Sequence, residues 1–432
     1  MAFQSWGNYP KAHSTVHTFD DLESLQLLLA GNRQYIPRGN GRSYGDSSLN
    51  ENLIHVRPYD CFVRFDSHQG EIDVQAGVLL AEVLDVIIPK GWFLPVTPGT
   101  KHVTIGGAIA SDVHGKNHHI DGSFCRHVAG LTIMLANGDV LQCSRHENEE
   151  VFRATCGGMG LTGVILSAKL RLKKIKSSYI DQTTMKTTNL RETLQAFDTY
   201  KDSTYSVAWI DCLAKGAALG RGLVMLGEHA ESGPLDYKSG SRISLPVRLP
   251  SFTLNSVAVK IFNTLYYTLK KSGDCIEQVS IDKFFYPLDA IRHWNRIYGS
   301  AGFIQYQVVL PLESSHDGLC DILTKIVTSR QGSSFGVIKL LGEQNCNWLS
   351  FPMHGFTLAM DFRIQRRLMK LLSELDEIVV RHGGRFYLTK DARVTREVFE
   401  IGYERVEKFR ALREQYEMNQ KFNSLQSRRL GI

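Results

Sequence analysis

Residues 148–173 read NEEVFRATCGGMGLTGVILSAKLRLK. Within them Gly158–Gly163, GMGLTG, matches G-x-G-x-x-G, the spacing that holds a dinucleotide between a strand and a following helix. The flanks come in the opposite order. Asn148–Thr155 has helical character and precedes the glycines, whereas Val164–Lys173 alternates as a strand and follows them. That reversal excludes a Rossmann NAD site and leaves the loop free to touch a cofactor in another fold.

Two further glycine-rich stretches lie upstream. Pro37-Arg38-Gly39-Asn40-Gly41-Arg42-Ser43-Tyr44-Gly45-Asp46 has three glycines in seven residues, which permit left-handed backbone angles and close approach to a ligand. Successive amides in such a turn form an anion nest, and Arg38 and Arg42 add positive charge, so a diphosphate fits. A plain surface loop has the same composition. The second stretch, Thr97–Asn117, reads TPGTKHVTIGGAIASDVHGKN. A helix opening at Gly106–Ser111, small residues except Ile109, would offer free amides to a phosphate. Tight helix packing would use the same residues.

The bulk numbers agree with a folded enzyme. The 432 residues suffice for two domains, and 43% hydrophobic and 22% charged content are ordinary. Net charge is +6, which suits an anionic ligand, and no Lys/Arg run argues for nucleic acid. The eight cysteines never stand at C-x-x-C spacing, and the start MAFQSWGNYPKAHS lacks the apolar core of a signal peptide, so the expectation is a reduced cytoplasmic protein. His114, His118, His119 and His127 cluster, but no cysteine or carboxylate array completes a ligand set, and the expected metal content is none.

Short strands are expected over Leu53–Arg57, Phe62–Asp66, Gly70–Ala76 and Phe124–Ala136, the last turned by Asn137-Gly138 into Val140–Cys143. Val78–Pro89 has helical spacing, and Gly91–Pro98 is read as extended. Farther on, Tyr205–Asp211 and Ile304–Leu310 read as strands and Asp317–Ser329 as a helix. Phe386–Thr389 is read as a strand with Lys390 at its end, a place where catalytic groups sit; a surface Lys390–Asp391 pair is the plainer reading. Ser251–Lys271, SFTLNSVAVKIFNTLYYTLKK, is apolar but interrupted by Asn255, Lys260 and Asn263. It is a poor spanning helix and reads as a core or lid helix, or as one lying on a membrane surface.

Several stretches together resemble the vanillyl-alcohol-oxidase (PCMH-type) FAD enzymes, and within them the oxidases of polyprenyl-phospho-sugars. They are GRSYGD at 41–46, GKNHHIDGSF at 115–124, ATCGGMGLTGVI at 154–165, YSVAWID at 205–211, FYPLDAIRHWNRIYG at 285–299, GFIQYQ at 302–307, LSFP at 349–352 and YLTKDAR at 387–393. The resemblance implies an α+β fold: a PCMH-type FAD-binding domain over 1–178, a substrate domain with an antiparallel sheet over 179–384, and a C-terminal segment, 385–432, returning to the first domain. It implies that residues 37–47, ending at Ser47, together with Gly99, Thr104, Ile105, Gly106, Gly107, Ser111, Asp112, Val113, His114, Ile165 and Tyr387, wrap the FAD. Lys116, Trp209, Gln305, Gln307 and Lys339 would line the substrate pocket, with Lys390, or else His114, as the base.

Many relatives link FAD covalently through a histidine in the first loop. This chain has Tyr44 there, so non-covalent FAD is expected. A mycobacterial relative has a cysteine in the strand matching Thr357–Phe362, where this chain has Ala359. The implied reaction is oxidation of the ribose C2 hydroxyl of a polyprenylphosphoryl ribose, with a short-chain reductase completing epimerisation and with peripheral membrane contact. An aldonolactone or alditol oxidase on a free sugar, or a non-catalytic FAD-binding protein, are the alternatives.

Overall fold

Asn137 and Gly138 turn the chain between strands Val128–Met134 and Val140–Cys143, with Gly138 at φ +87°, an angle that favours glycine. The computed structural model describes residues 2–237, 243–245, 256–270, 273–329, 331, 333 and 335–432. The hairpin is one edge of a five-stranded antiparallel sheet in the order Val140–Cys143, Val128–Met134, Val164–Arg171, Glu71–Gln75, Phe62–Asp66. Beside it, Asn52–His55 lies between Thr15–His17 and Ile36–Arg38 in a small parallel sheet. Helix Leu80–Ile87 turns Leu80, Val83, Leu84 and Ile87 into their shared core, the 3,4 spacing of a one-sided helix. The helix over Glu149–Thr155 does precede the glycine loop, and the strand from Val164 follows it.

The middle of the chain forms an eight-stranded sheet in the order Gly273–Ser280, Tyr179–Thr187, Gly222–His229, Tyr205–Ile210, Gly336–Leu341, Gly355–Arg363, Phe303–Pro311, Arg385–Phe386, antiparallel throughout. Side chains alternate across a strand. Ile304, Tyr306, Val308 and Leu310 therefore enter a core packed under helices Leu312–Ser329 and Leu368–Arg381. Gln305 and Gln307, between them, face a cavity shared with the first sheets. Helix Ser256–Leu269 lies at one side of this cavity. Tyr266 lines it, its ring standing edge-on to Trp209 at 4.9 Å, and Asn263 donates to Asp211 at 2.9 Å. The expected helix start at 251–255 lies outside the described residues.

The C-terminal helices return to the first loops. Tyr35 N donates to Lys421 O at 2.8 Å, Leu425 N donates to Leu49 O at 2.8 Å, and the buried Arg413 donates to Leu161 O at 3.2 Å. The architecture is α+β, as the motifs imply.

Some expected boundaries shift. Phe124–His127 is a 3-10 turn, so its strand starts at Val128; only Trp92–Phe93 of the extended run pairs, and the helix expected from Asp317 starts at Leu312. The strand expected over Phe386–Thr389 is only Arg385–Phe386. Beyond it the chain tightens into a turn, with Lys390 N and Asp391 N both donating to Tyr387 O. Lys390 thus sits on a turn that points it inward, rather than at the tip of a strand.

Candidate active site

The loop Pro37–Tyr44 borders the cavity along its whole length. Gly41 has φ +62°, and a Cβ on Gly39 would come within 2.3 Å of Thr104 Oγ1, so both positions need the missing side chain. Arg38 is tied down, donating to Ser48 O at 3.0 Å and Gln4 O at 2.9 Å. Arg42 lies over the Trp6 ring at 4.1 Å and keeps a buried Nε without a partner in the structure. Thr104 caps the short helix Ile105–Ala110, its Oγ1 accepting from Gly107 N. Gly106 and Gly107 present bare backbone to the cavity, and a Cβ on Gly99 would meet nothing within 4 Å. Ser47, Ser111, Val113 and Ile165 also line it.

Four expected FAD contacts are engaged elsewhere, Gly45 by its backbone and three by their side chains. Gly45 is pressed onto the Asp391 carbonyl, where a Cβ would clash. Asp46 is buried in an ion pair with Arg429 at 2.8 Å. Ile105 belongs to the hydrophobic core. Asp112, at φ +37°, accepts from Asn345 at 2.7 Å, Asn347 at 2.9 Å, Ser350 at 2.6 Å and the Cys125 amide at 3.0 Å, pinning the 345–350 loop behind the cavity. A motif gives the spacing of these residues but not which way each side chain turns.

The opposite wall carries the ionisable groups. Lys390 Nζ lies 3.4 Å from the Tyr44 ring centroid, and that ring packs edge-on against Phe303 at 5.4 Å. Burial pushes the Lys390 ammonium down to about 7, with Asp361 opposing and Lys339 assisting. Lys116 falls to about 7 and Lys339 to about 8, again through burial first. Lys116 donates to Phe284 O and lies over the Phe284 ring at 4.1 Å.

His114 is held well below its ordinary value by burial and by Lys339, and so stays neutral. Gln307 Nε2 donates to His114 Nε2 at 3.0 Å. That assignment puts the imidazole proton on Nδ1, the nitrogen without a protein partner. With Nε2 occupied, His114 is a hydrogen-bond donor here and a poor base, which favours Lys390 over it. Tyr387 stacks on Phe351 at 4.7 Å and donates to Ser111 O at 3.3 Å.

All these groups surround one cavity of about 530 Å³ that runs from the glycine loops to Trp209, Gln305, Gln307 and Lys339. Met159, Gly160 and Gly163 border it too, so the reversed glycine motif does reach the site. Ala359, opposite Gln307 in the sheet, presents a methyl group to it. Asp289 and Trp294, within the quoted stretch 285–299 but given no role there, line it too, as does Trp6, which no motif announces. Asp361 lies just behind it, and did leave a trace: it is the one acid in the apolar strand GFTLAMDFR, on the face shared by Thr357 and Ala359.

A model of the FAD binding domain matches residues 13–144. The chain is 36% identical to decaprenylphosphoryl-beta-D-ribose oxidase of Mycolicibacterium smegmatis over 447 residues, covering 99% of this chain and 96% of that protein. The chain belongs to the family of that FAD-linked oxidase. Its cofactor is FAD, and it is a FAD-dependent oxidoreductase acting on CH–OH donors. It is 30% identical to L-gulonolactone oxidase of Bos taurus over 214 residues, covering 48% of this chain and 47% of that protein. The fold is that of a solved xylooligosaccharide oxidase from Myceliophthora thermophila C1 in complex with xylobiose, with TM-score 0.69, 13% identity, and coverage of 94% of this chain and 89% of that one. The residues at hand fit FAD: bare glycine backbone for a diphosphate, and unpartnered buried donors on Arg42 and His114.

Proposed function

We propose that this protein oxidises the C2 hydroxyl of a polyprenylphosphoryl-β-D-ribose to the 2-keto sugar, the first half of an epimerisation to the arabinose donor. A short-chain reductase acting on the keto product would complete it. The observation that carries this reading is the ring of Lys116, Lys339 and Lys390 in one cavity, in a chain that matches a ribose oxidase end to end. Lys116 and Lys339 supply charge for the substrate phosphate, and Gln305 and Gln307 hydrogen-bond the sugar. The loops 37–47 and 104–114 and Tyr387 hold FAD without a covalent bond. When bound, the flavin supplies the acceptor for the hydride leaving C2. Lys390, whose ammonium is pushed down to about 7 and is therefore partly amine at neutral pH, takes the hydroxyl proton, and the buried Tyr44 ring keeps its amine in place.

The test is anaerobic flavin bleaching with polyprenylphosphoryl ribose set beside free ribose and an aldonolactone. Bleaching by the lipid-linked sugar alone is expected. Equal bleaching by free sugars would move the protein to the lactone or alditol oxidases, and no bleaching by any alcohol would leave a non-catalytic flavoprotein.

The substrate's lipid also needs a source. No helix among the described residues is long and apolar enough to cross a membrane. The helix Ser256–Leu269 nevertheless presents Ile261, Phe262, Leu265 and Leu269 at 52–76% exposure, a row along one face, with Lys260 exposed beside it. We propose that this face rests on anionic lipid while Tyr266, on the same helix, walls the sugar cavity.

A further inference from the structure

We propose that Asp361 is a positioning residue for this oxidation, aiming the Gln305 amide and governing when the Lys390 amine can take a proton. The inference rests on the reading of Lys390 as the base.

Asp361 stands directly opposite Gln305 in the pairing of Gly355–Arg363 with Phe303–Pro311. Its carboxylate is 3% exposed and accepts from Gln305 Nε2 at 2.7 Å and from the Tyr298 hydroxyl at 3.3 Å. Its own amide donates to Ser333 Oγ at 3.1 Å. Gln305 and Lys390 reach the cavity, whereas Asp361 sits behind them. Among the described residues no Lys, Arg or His nitrogen lies within ion-pair distance of it. A buried carboxylate left without a paired cation is costly, and it loses less by keeping its proton. Burial accordingly pushes Asp361 up to about 6, with Gln305, Lys390 and Tyr298 opposing.

The groups facing the pair are few. Lys390 meets the Tyr44 ring, Asp361, Lys339 and His114, and His114 is neutral. Asp361 meets Gln305, Tyr298, Lys390 and Tyr44. At neutral pH the carboxylate is therefore mostly charged and, among the described residues, is the one negative group holding a proton on Lys390. Removing that charge leaves the amine neutral down to lower pH. Removing it also replaces the charge-assisted bond to Gln305 by a weaker one and loosens the sugar's hydrogen-bond partner.

The experiment is trace acetylation of the FAD-loaded protein with acetic anhydride from pH 5 to 10, read at Lys390 by peptide mass spectrometry. It needs no sugar, so it does not depend on the substrate being correctly named. The wild-type midpoint is expected near pH 7, as Lys390 is placed. Asp361→Asn should lower it by roughly one pH unit, the scale set by one neighbouring charge. Asp361→Glu should return it toward wild type. Tyr298→Phe, which deletes one donor to the carboxylate and keeps the ring, should shift it in the same direction by less; it serves if the Asn variant fails to hold FAD. In turnover, the acid limb of flavin reduction should move down with the labelling midpoint, and KM should rise. An unchanged Lys390 midpoint in Asp361→Asn would overturn the proposal. Normal labelling shifts without any sugar-driven bleaching would instead count against the substrate.

Discussion

Arg429 Nη2 donates to Asp46 Oδ1 at 2.8 Å, across 383 residues of sequence, and the same nitrogen reaches Asp391 Oδ2 at 2.8 Å. One guanidinium thus ties the first glycine loop to the turn that carries Lys390. Both carboxylates are buried, and removing the cation leaves them facing each other. Arg429→Met should cost about 3 kcal/mol, the lower end for breaking a buried pair because Arg429 is partly exposed.

The pH dependence of that loss has a definite sign. Asp46 already holds its proton more tightly than usual through burial and Asp391, with Arg429 opposing. Without Arg429 its affinity rises further. A carboxyl raised in the folded state stabilises at acid pH and loses that contribution as pH climbs. The deficit in thermal unfolding temperature between Arg429→Met and wild type should therefore shrink from pH 7 to pH 5. An equal or larger deficit at pH 5 would contradict this account.

Lys390→Ala should keep its yellow colour and lose flavin reduction by on the order of a hundred- to ten-thousand-fold, the usual contribution of a general base. In the wild type the rate should climb as pH rises through about 7, as the ammonium becomes an amine. The variant should lack that limb. Near-normal reduction would return Lys390 to the rank of a structural cation over Tyr44.

Tyr44 is buried against Phe303 and Trp294 with Lys390 over its ring, and burial pushes its phenol well above the ordinary value. A phenol so disposed has neither the imidazole nor the anion needed to bond a flavin ring. Acid precipitation of the holoprotein should leave all the FAD in the supernatant. A yellow pellet, with protein mass raised by one FAD, would overturn this.

Replacing Ile261, Phe262, Leu265 and Leu269 together with serine should abolish co-sedimentation with anionic liposomes at low salt. Bleaching by a short-chain substrate analogue should be unaffected, because these four side chains point away from the cavity walls. Salt should weaken binding of the wild type, since part of the attraction is Coulombic. Undiminished liposome binding by the serine variant would place the contact elsewhere.

Glycine motifs and turn signals told most about the first third of the chain. Asn137-Gly138 marked its hairpin, and the order of helix and strand around Gly158–Gly163 excluded the wrong nucleotide fold. Of the cavity's cations, Lys116 and Lys390 sit in recognisable motifs, whereas Lys339 enters only through the family resemblance. What stayed hidden was orientation. Ile105 and Asp112 share a segment with cavity-lining neighbours, yet helix geometry turns one into the core and a left-handed kink turns the other toward Asn345 and Ser350. Lys390 was placed at the end of a strand because Phe386–Thr389 alternates, but hydrogen bonds back to Tyr387 O fold those residues into a turn. Asp361 reaches the site through Gln305 and through its charge near Lys390, and a lone acid in an apolar strand does not report a partner 56 residues away.

Ala359 has a pharmacological consequence. It offers the cavity only a methyl group, and no cysteine is among the described residues that line it. An electrophilic inhibitor designed to trap a thiol in the corresponding strand of a mycobacterial relative would find no thiol here to bond. The nucleophiles that line it instead include the amines of Lys116, Lys339 and Lys390, the last held over the Tyr44 ring. Compounds aimed at this protein would have to work reversibly, through fit against Trp209, Tyr266 and the lysines, and their duration of action would follow their dissociation rate instead of the lifetime of a covalent bond.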